Sequence, residues 1–176
     1  ILHTKTADVL GREDTMLTVC TRATNVIWTL LTAKDGLSDQ LGMLRQAGVL
    51  APHADAEVNV EKGHYSTEIG DRARGAKYPH VVVYCARVEN SLRQKFQKFS
   101  GKVDIVIEVR NSSDRLEGLE AETQGYVEGV LNVLDGKRGE WAEGLYFSGR
   151  YDVRFEPVGK GGRNFAQTAK VGLSLE

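Results

Sequence analysis

The sequence predicts an α+β fold: about four strands in a mostly antiparallel sheet, helices packed on one face, and N-terminal helices and a long loop ahead of them. Three observations predict it. Apolar residues recur every three or four positions in two long stretches, 13–32 and 114–134. Four other stretches, 80–88, 102–110, 145–156 and 165–175, either alternate apolar with polar or run continuously apolar. Glycine (19 residues) far outnumbers proline (3 residues), which suits tight turns between packed elements and not a proline-rich linker.

The elements follow in chain order. Residues 1–12 are polar and unpatterned and read as an arm. In the first helix, Met16, Val19, Cys20, Ala23, Ile27, Leu30 and Leu31 share one face, with Asp14 or Thr15 placed to cap it. A second, short helix fits 38–46, with Leu41 and Leu44 inward and Gly48 to end it. Residues 51–79 are polar and hold scattered glycine, proline and charge. Apart from a short strand near 58–60, they read as a long loop, and a loop of that length in a compact domain points to partner contact. The run HVVVYCARV reads as a central strand. KVDIVIEVR alternates, with Val103, Ile105, Ile107 and Val109 on one face. The clearest helix spans 114–134, capped by Asp114, with Leu119, Tyr126, Val127, Val130 and Leu134 inward and Asp135-Gly136 to break it. Two long alternating strands then flank the glycine-rich loop 159–162. Together these elements predict one domain over 1–176.

The same elements carry few residue patterns with chemical meaning. The loop Gly159-Lys160-Gly161-Gly162 lacks the order and the following helix that a phosphate-binding loop requires, so it reads as a hairpin turn in which Gly161 and Gly162 supply positive φ. The four histidines, His3, His53, His64 and His80, show no metal-ligand spacing. Cys20 and Cys85 are far apart, lack C-x-x-C spacing and read as small buried residues, not a disulfide or a zinc site. No nucleophile motif occurs, and Glu117 and Glu120 lie on a solvated helix face where a carboxylate is not tuned for catalysis. Asp104 and Glu108 read as ion-pair partners of Arg150 or Arg154 across the sheet. The expectation is a non-enzyme with no cofactor and no metal.

Net charge is −1, so there is no global pull toward nucleic acid or membrane. Two basic clusters remain: Arg87, Arg93, Lys95 and Lys98 interleaved with Phe96 and Phe99, and Arg150, Arg154, Lys160, Arg163 and Lys170. They read as solvated faces or protein interfaces, with nucleic-acid binding as the alternative. Neither a signal peptide nor a spanning apolar run is evident, so the chain reads as soluble and made in a reducing cytoplasm. Its first residue is Ile1, which leaves the natural N-terminus to precede it.

The C-terminal half carries a resemblance. VDIVIEVR, the helix ending YVEGVLNVLDG, and YFSGRYDVRFEPVGKGGRNFAQTAKVGLSLE follow one another in an order similar to that of the tail terminator (tail completion, neck) proteins of long-tailed bacteriophages. The resemblance covers roughly 80–176 and rests on element order, the Tyr-Asp-Val strand, the G-G-x-N-F turn and the final alternating strand. It implies a structural virion protein, assembled in the host cytoplasm into a homo-oligomeric ring, usually a hexamer. The ring caps the head-proximal end of the tail tube and joins it to the head connector, and DNA passes through its lumen without specific binding. Under that reading Arg150, Arg154, Lys160, Gly161, Gly162, Arg163 and Asn164 fall at a subunit or tube interface, and His64, Tyr65, Arg72 and Arg74 in a partner-contact loop. Another neck, head-closure or connector-adaptor ring protein is the nearest alternative.

Overall fold

The computed structural model describes residues 7–55, 57–64, 77–91, 100–142 and 144–176, with side chains described from Val19 onward. Helix α1 spans Ala7–Thr32 and α2 spans Leu37–Gln46. Strands β1 (Asn59–Lys62), β2 (His80–Asn90) and β3 (Gly101–Ser113) follow, then helix α3 (Leu119–Asp135) and strands β4 (Gly139–Ala142), β5 (Leu145–Phe155), β6 (Gly159–Gly161) and β7 (Asn164–Leu175). The strands form one mixed, curled seven-stranded sheet in the order β1-β2-β3-β7-β5-β4, with β6 paired to β7. Only β1 and β2 run parallel.

This corrects the expected four-stranded sheet. Strand β1 answers to the short strand expected near 58–60, which was not counted in the sheet, while β4 and β6 hold four and three residues, too few for alternation to register. Strand β6 is Gly-Lys-Gly and has no apolar side chain to read. Two boundaries are corrected as well. Helix α1 begins at Ala7, inside the expected arm, because nothing from Ala7 to Glu13 breaks a helix except Gly11. Helix α3 begins at Leu119 behind Gly118, whose φ of 86° sets the turn, and Asp114 does not cap it.

The core lies on one face of the sheet. Val103, Ile105, Ile107 and Val109 of β3 stand opposite Leu175, Leu173, Val171 and Ala169 of β7, and all are buried. Ala23, Ile27 and Leu31 of α1 and Tyr126, Val127, Val130 and Leu134 of α3 close over them. Each fully buried side chain of this kind contributes about 1.5–3 kcal/mol. Helix α2 and the turn after it seat against α3 where α3 presents glycine: a Cβ on Gly129 would stand 2.6 Å from Leu41 Cδ2 of α2, and one on Gly125 would stand 2.8 Å from Leu50 Cδ1 beyond it. Strand β1 is held from the side by α1. Trp28 Nε1 donates to the Val60 carbonyl (2.9 Å), and the Lys62 ammonium lies 4.8 Å from the centre of the Trp28 ring. Cys20 of α1 and Cys85 of β2, distant in sequence, are free thiols whose sulfurs approach to 3.3 Å. Among the described residues no helix is long and apolar enough to cross a membrane.

Candidate functional site

The sheet face turned away from the helices carries the polar half of each alternating strand. Register places His80, Val82 and Tyr84 of β2 beside Arg110, Glu108 and Val106 of β3, and these beside Thr168, Lys170 and Gly172 of β7. Asp152 and Arg154 of β5 complete the row. Part of this face is buried although it lies off the core. His80, Tyr84, Glu108, Arg110 and Thr168 are each less than a tenth exposed.

A burial of that kind requires partners, and Glu108 supplies them to Arg110 and Tyr84. Arg110 Nε donates to Glu108 Oε1 at 2.6 Å, and Tyr84 Oη donates to Glu108 Oε2 at 3.3 Å. His80 Nε2 lies 3.5 Å from Glu61 Oε2. The His64 ring stacks flat on Tyr84, with ring centres 4.1 Å apart and planes 4° from parallel. Burial, and then the Glu108 carboxylate, push the Tyr84 phenol above its ordinary value. Among the described residues the arrangement is a buried polar patch centred on Glu108, which Arg110 and Tyr84 share.

Beyond the patch the face opens into a groove of about 870 Å³ lined by Asp104, Val106, Arg150, Asp152, Arg154 and Lys170, among others. Its charges are mostly paired. Lys170 Nζ meets Glu156 Oε1 at 2.6 Å, which holds the ammonium above its ordinary range against the opposing effect of burial. Arg154 Nε meets Asp152 Oδ2 at 3.2 Å, and Ser174 Oγ donates to Asp104 Oδ1 at 2.6 Å. The expected pairing of Asp104 and Glu108 with Arg150 or Arg154 is therefore corrected: nearer partners on the same or the adjacent strand take each carboxylate. Gly172 leaves the groove floor open, since a Cβ there would stand 2.8 Å from Asp152 Oδ1. Arg150 is exposed and forms no ion pair with a described residue.

The structure separates the residues singled out from sequence. Arg150 and Arg154 line the groove. Lys160, Gly161, Gly162, Arg163 and Asn164 belong to the β6–β7 hairpin, whose tip projects past the last paired residue of β3, Ser113. The tip is the two-residue turn Gly162-Arg163. Gly162 has a φ of 68°, but Gly161 is not in the left-handed region, so one glycine and not two supplies the positive φ. His64 lies against Tyr84, while Tyr65, Arg72 and Arg74 lie outside the described residues, as do Arg93, Lys95, Phe96, Lys98 and Phe99.

Two further features were not singled out from sequence. One is the buried Glu108–Arg110–Tyr84 patch. The other is a pair of open strand edges. Strand β1 pairs β2 only from His80 to Val83, so 84–90 of β2 has β3 on one side and no described strand on the other. Strand β4 reaches β5 only at Leu145–Phe147, so 150–155 of β5 has β7 on one side and no described strand on the other. Strand order creates these edges, and no local pattern signals it. A comparison with protein-family models returns no match, and a comparison with curated proteins returns none.

Proposed function

We propose that this chain is a structural subunit of a bacteriophage tail terminator: a homo-oligomeric ring, of hexameric type, that caps the head-proximal end of the tail tube and joins it to the head connector. The observation that carries the reading is a pair of strand edges on opposite sides of one sheet that have no partner among the described strands. A ring built head to tail needs two different, complementary surfaces on each subunit, and a strand with unpaired N–H and C=O groups is a ready surface for a neighbour. The groove supports a structural role over a nucleic-acid-binding one. Its Arg154 and Lys170 are matched by Asp152 and Glu156, so the face lacks the continuous positive stripe that duplex or single-strand binding uses. DNA would pass such a ring without specific contact.

The test is electron microscopy of a tagged copy bound to tails from the source particle, with gold on the tag. Label confined to the head-proximal tail end is the expected result. Label at the portal vertex of tailless heads would assign the chain to the head-closure rings instead. Absence of label from particles, together with a monomer at high concentration, would overturn the reading.

A further inference from the structure

We infer that neighbouring copies join by antiparallel pairing of β5 in one copy, along the edge where no described strand lies, with the corresponding edge of β2 in the next, so that the sheets run on from subunit to subunit. The inference rests on the ring reading and adds its contact. Direction is fixed by the sheet. Strand β3 is antiparallel to β2, β7 to β3 and β5 to β7, so the outer edge strand β5 runs opposite to β2 of a copy placed beside it in the same orientation.

Charge selects the register. On the groove face, β5 offers Arg150 and Asp152, and β2 offers Arg87 and Glu89, all four exposed. Antiparallel strands place residues opposite one another at a constant sum of positions, so setting Asp152 against Arg87 also sets Arg150 against Glu89. Both pairs are then of opposite sign: Arg87 and Glu89, which already meet at 3.0 Å, and Asp152, which meets Arg154, each face a further opposite charge, and Arg150, which has no ion pair with a described residue, gains one. On the other face the same register puts half-buried Tyr151 against half-buried Val88. An irregularity lies within the β2 stretch, between Cys85 and Arg87, and another at the start of the β5 stretch, between Phe147 and Tyr151, so the regular part of the contact is short.

The register also has a geometric consequence. Within one copy Tyr151 is level with Cys85, through Leu173 and Ile105. Val88 is level with Val103, two residues along β3 from Ile105 because of the irregularity at Cys85/Arg87, so pairing Tyr151 with Val88 of the neighbour steps that copy along the strands by about two residues, roughly 7 Å. A ring with such a stagger closes when its strands tilt from the ring axis, as in a barrel.

The test is a charge exchange. Arg150→Glu and Glu89→Arg are made singly and together, and assembly is measured by sedimentation velocity on purified protein and by binding to tails. Each single variant makes one facing pair like-charged, and its association constant is expected to fall about tenfold or more. The double variant is expected to restore assembly. Urea midpoints close to that of the unaltered chain show that each variant is folded. As a second measurement, the chain carrying both Arg150→Cys and Glu89→Cys is oxidised with diamide. It should give a ladder of covalent multimers ending at the ring, because facing Cβ atoms about 4.5–5.5 Å apart can approach disulfide geometry. The single cysteine variants should give no ladder. Assembly of the unaltered chain that is indifferent to the single reversals, with no ladder, would overturn the edge pairing and leave the ring standing. An unaltered chain that neither self-associates nor binds tails would overturn both.

Discussion

Helix α2 rests on α3 because α3 has glycine where α2 crosses it, and Gly129→Ala tests that contact directly. A methyl at this position would lie 2.6 Å from Leu41 Cδ2 and 3.1 Å from Leu37 Cδ1, and both leucines are fully buried. Carbon atoms pack at about 3.5–4.0 Å, so α2 must retreat by about 1 Å or its leucines must leave their rotamers. Overpacking of that kind costs about 1–3 kcal/mol. The substitution also removes a helix-interior glycine, which by itself stabilises by about 1 kcal/mol. With the steric cost toward the upper end, the net expectation is a loss of about 1–2 kcal/mol. Gly42→Ala in α2 is the matched control, because a Cβ there meets nothing within 4 Å and only the propensity gain of about 1 kcal/mol remains. Subtracting one variant from the other cancels propensity and leaves the steric contribution. Urea unfolding followed by circular dichroism reads both. If Gly129→Ala unfolds at or above the urea midpoint of the unaltered chain while Gly42→Ala is stabilised, the reasoning about the helix crossing is wrong.

Three other outcomes follow from the same structure. Glu108→Gln removes the buried carboxylate that Arg110 and Tyr84 share and should cost about 3 kcal/mol, whereas Asp152→Asn, at an exposed pair, should cost less than about 1 kcal/mol; equal effects in urea unfolding would remove the buried pair from the account. Burial first, and then the Cys20 thiol, push Cys85 from 9.0 up to about 12, and burial and then Glu122 push Tyr126 from 10.0 up to about 12. Both groups keep their protons longer in the folded state, so stability should be level below pH 9 and fall as pH rises toward 12, and Tyr126→Phe should flatten that fall; a urea midpoint unchanged up to pH 11 would contradict it. Gly162→Val forces a β-branched residue to a φ of 68° and should cost about 1–2 kcal/mol, while a Lys160→Ala change on the same exposed hairpin should be nearly neutral by the same assay.

The sequence is most legible where one face is core and the other is not. The alternation of β3 and β7 names Val103, Ile105, Ile107, Val109, Val171, Leu173 and Leu175 as inward, and each is buried. It is least legible where an element is held by something distant. Strand β1 stands because Trp28 reaches its backbone, and Asn-Val-Glu-Lys alone does not announce that. A short strand near 58–60 is legible, but its place in the sheet is not, and β4 and β6 are too short to read. The candidate site divides in the same way. Parity puts Asp104, Glu108 and Arg110 on one face of β3, but their burial depends on β2, β1 and the His64 ring, which arrive from other parts of the chain. The thiol pair has no local signature, because its members are 65 positions apart. The open edges depend on strand order, a property of the assembled sheet.

That order differs from the order of synthesis. Strand β7 is the last of these elements to leave the ribosome, yet it lies in the middle of the sheet, between β3 and β5. Until it emerges, β2–β3 and β4–β5 are separate ribbons, and the apolar rows on β3 and β5 have no strand between them. The nascent chain therefore waits with its core unsealed, and a cut before Asn164 would remove the centre of the fold and not its margin.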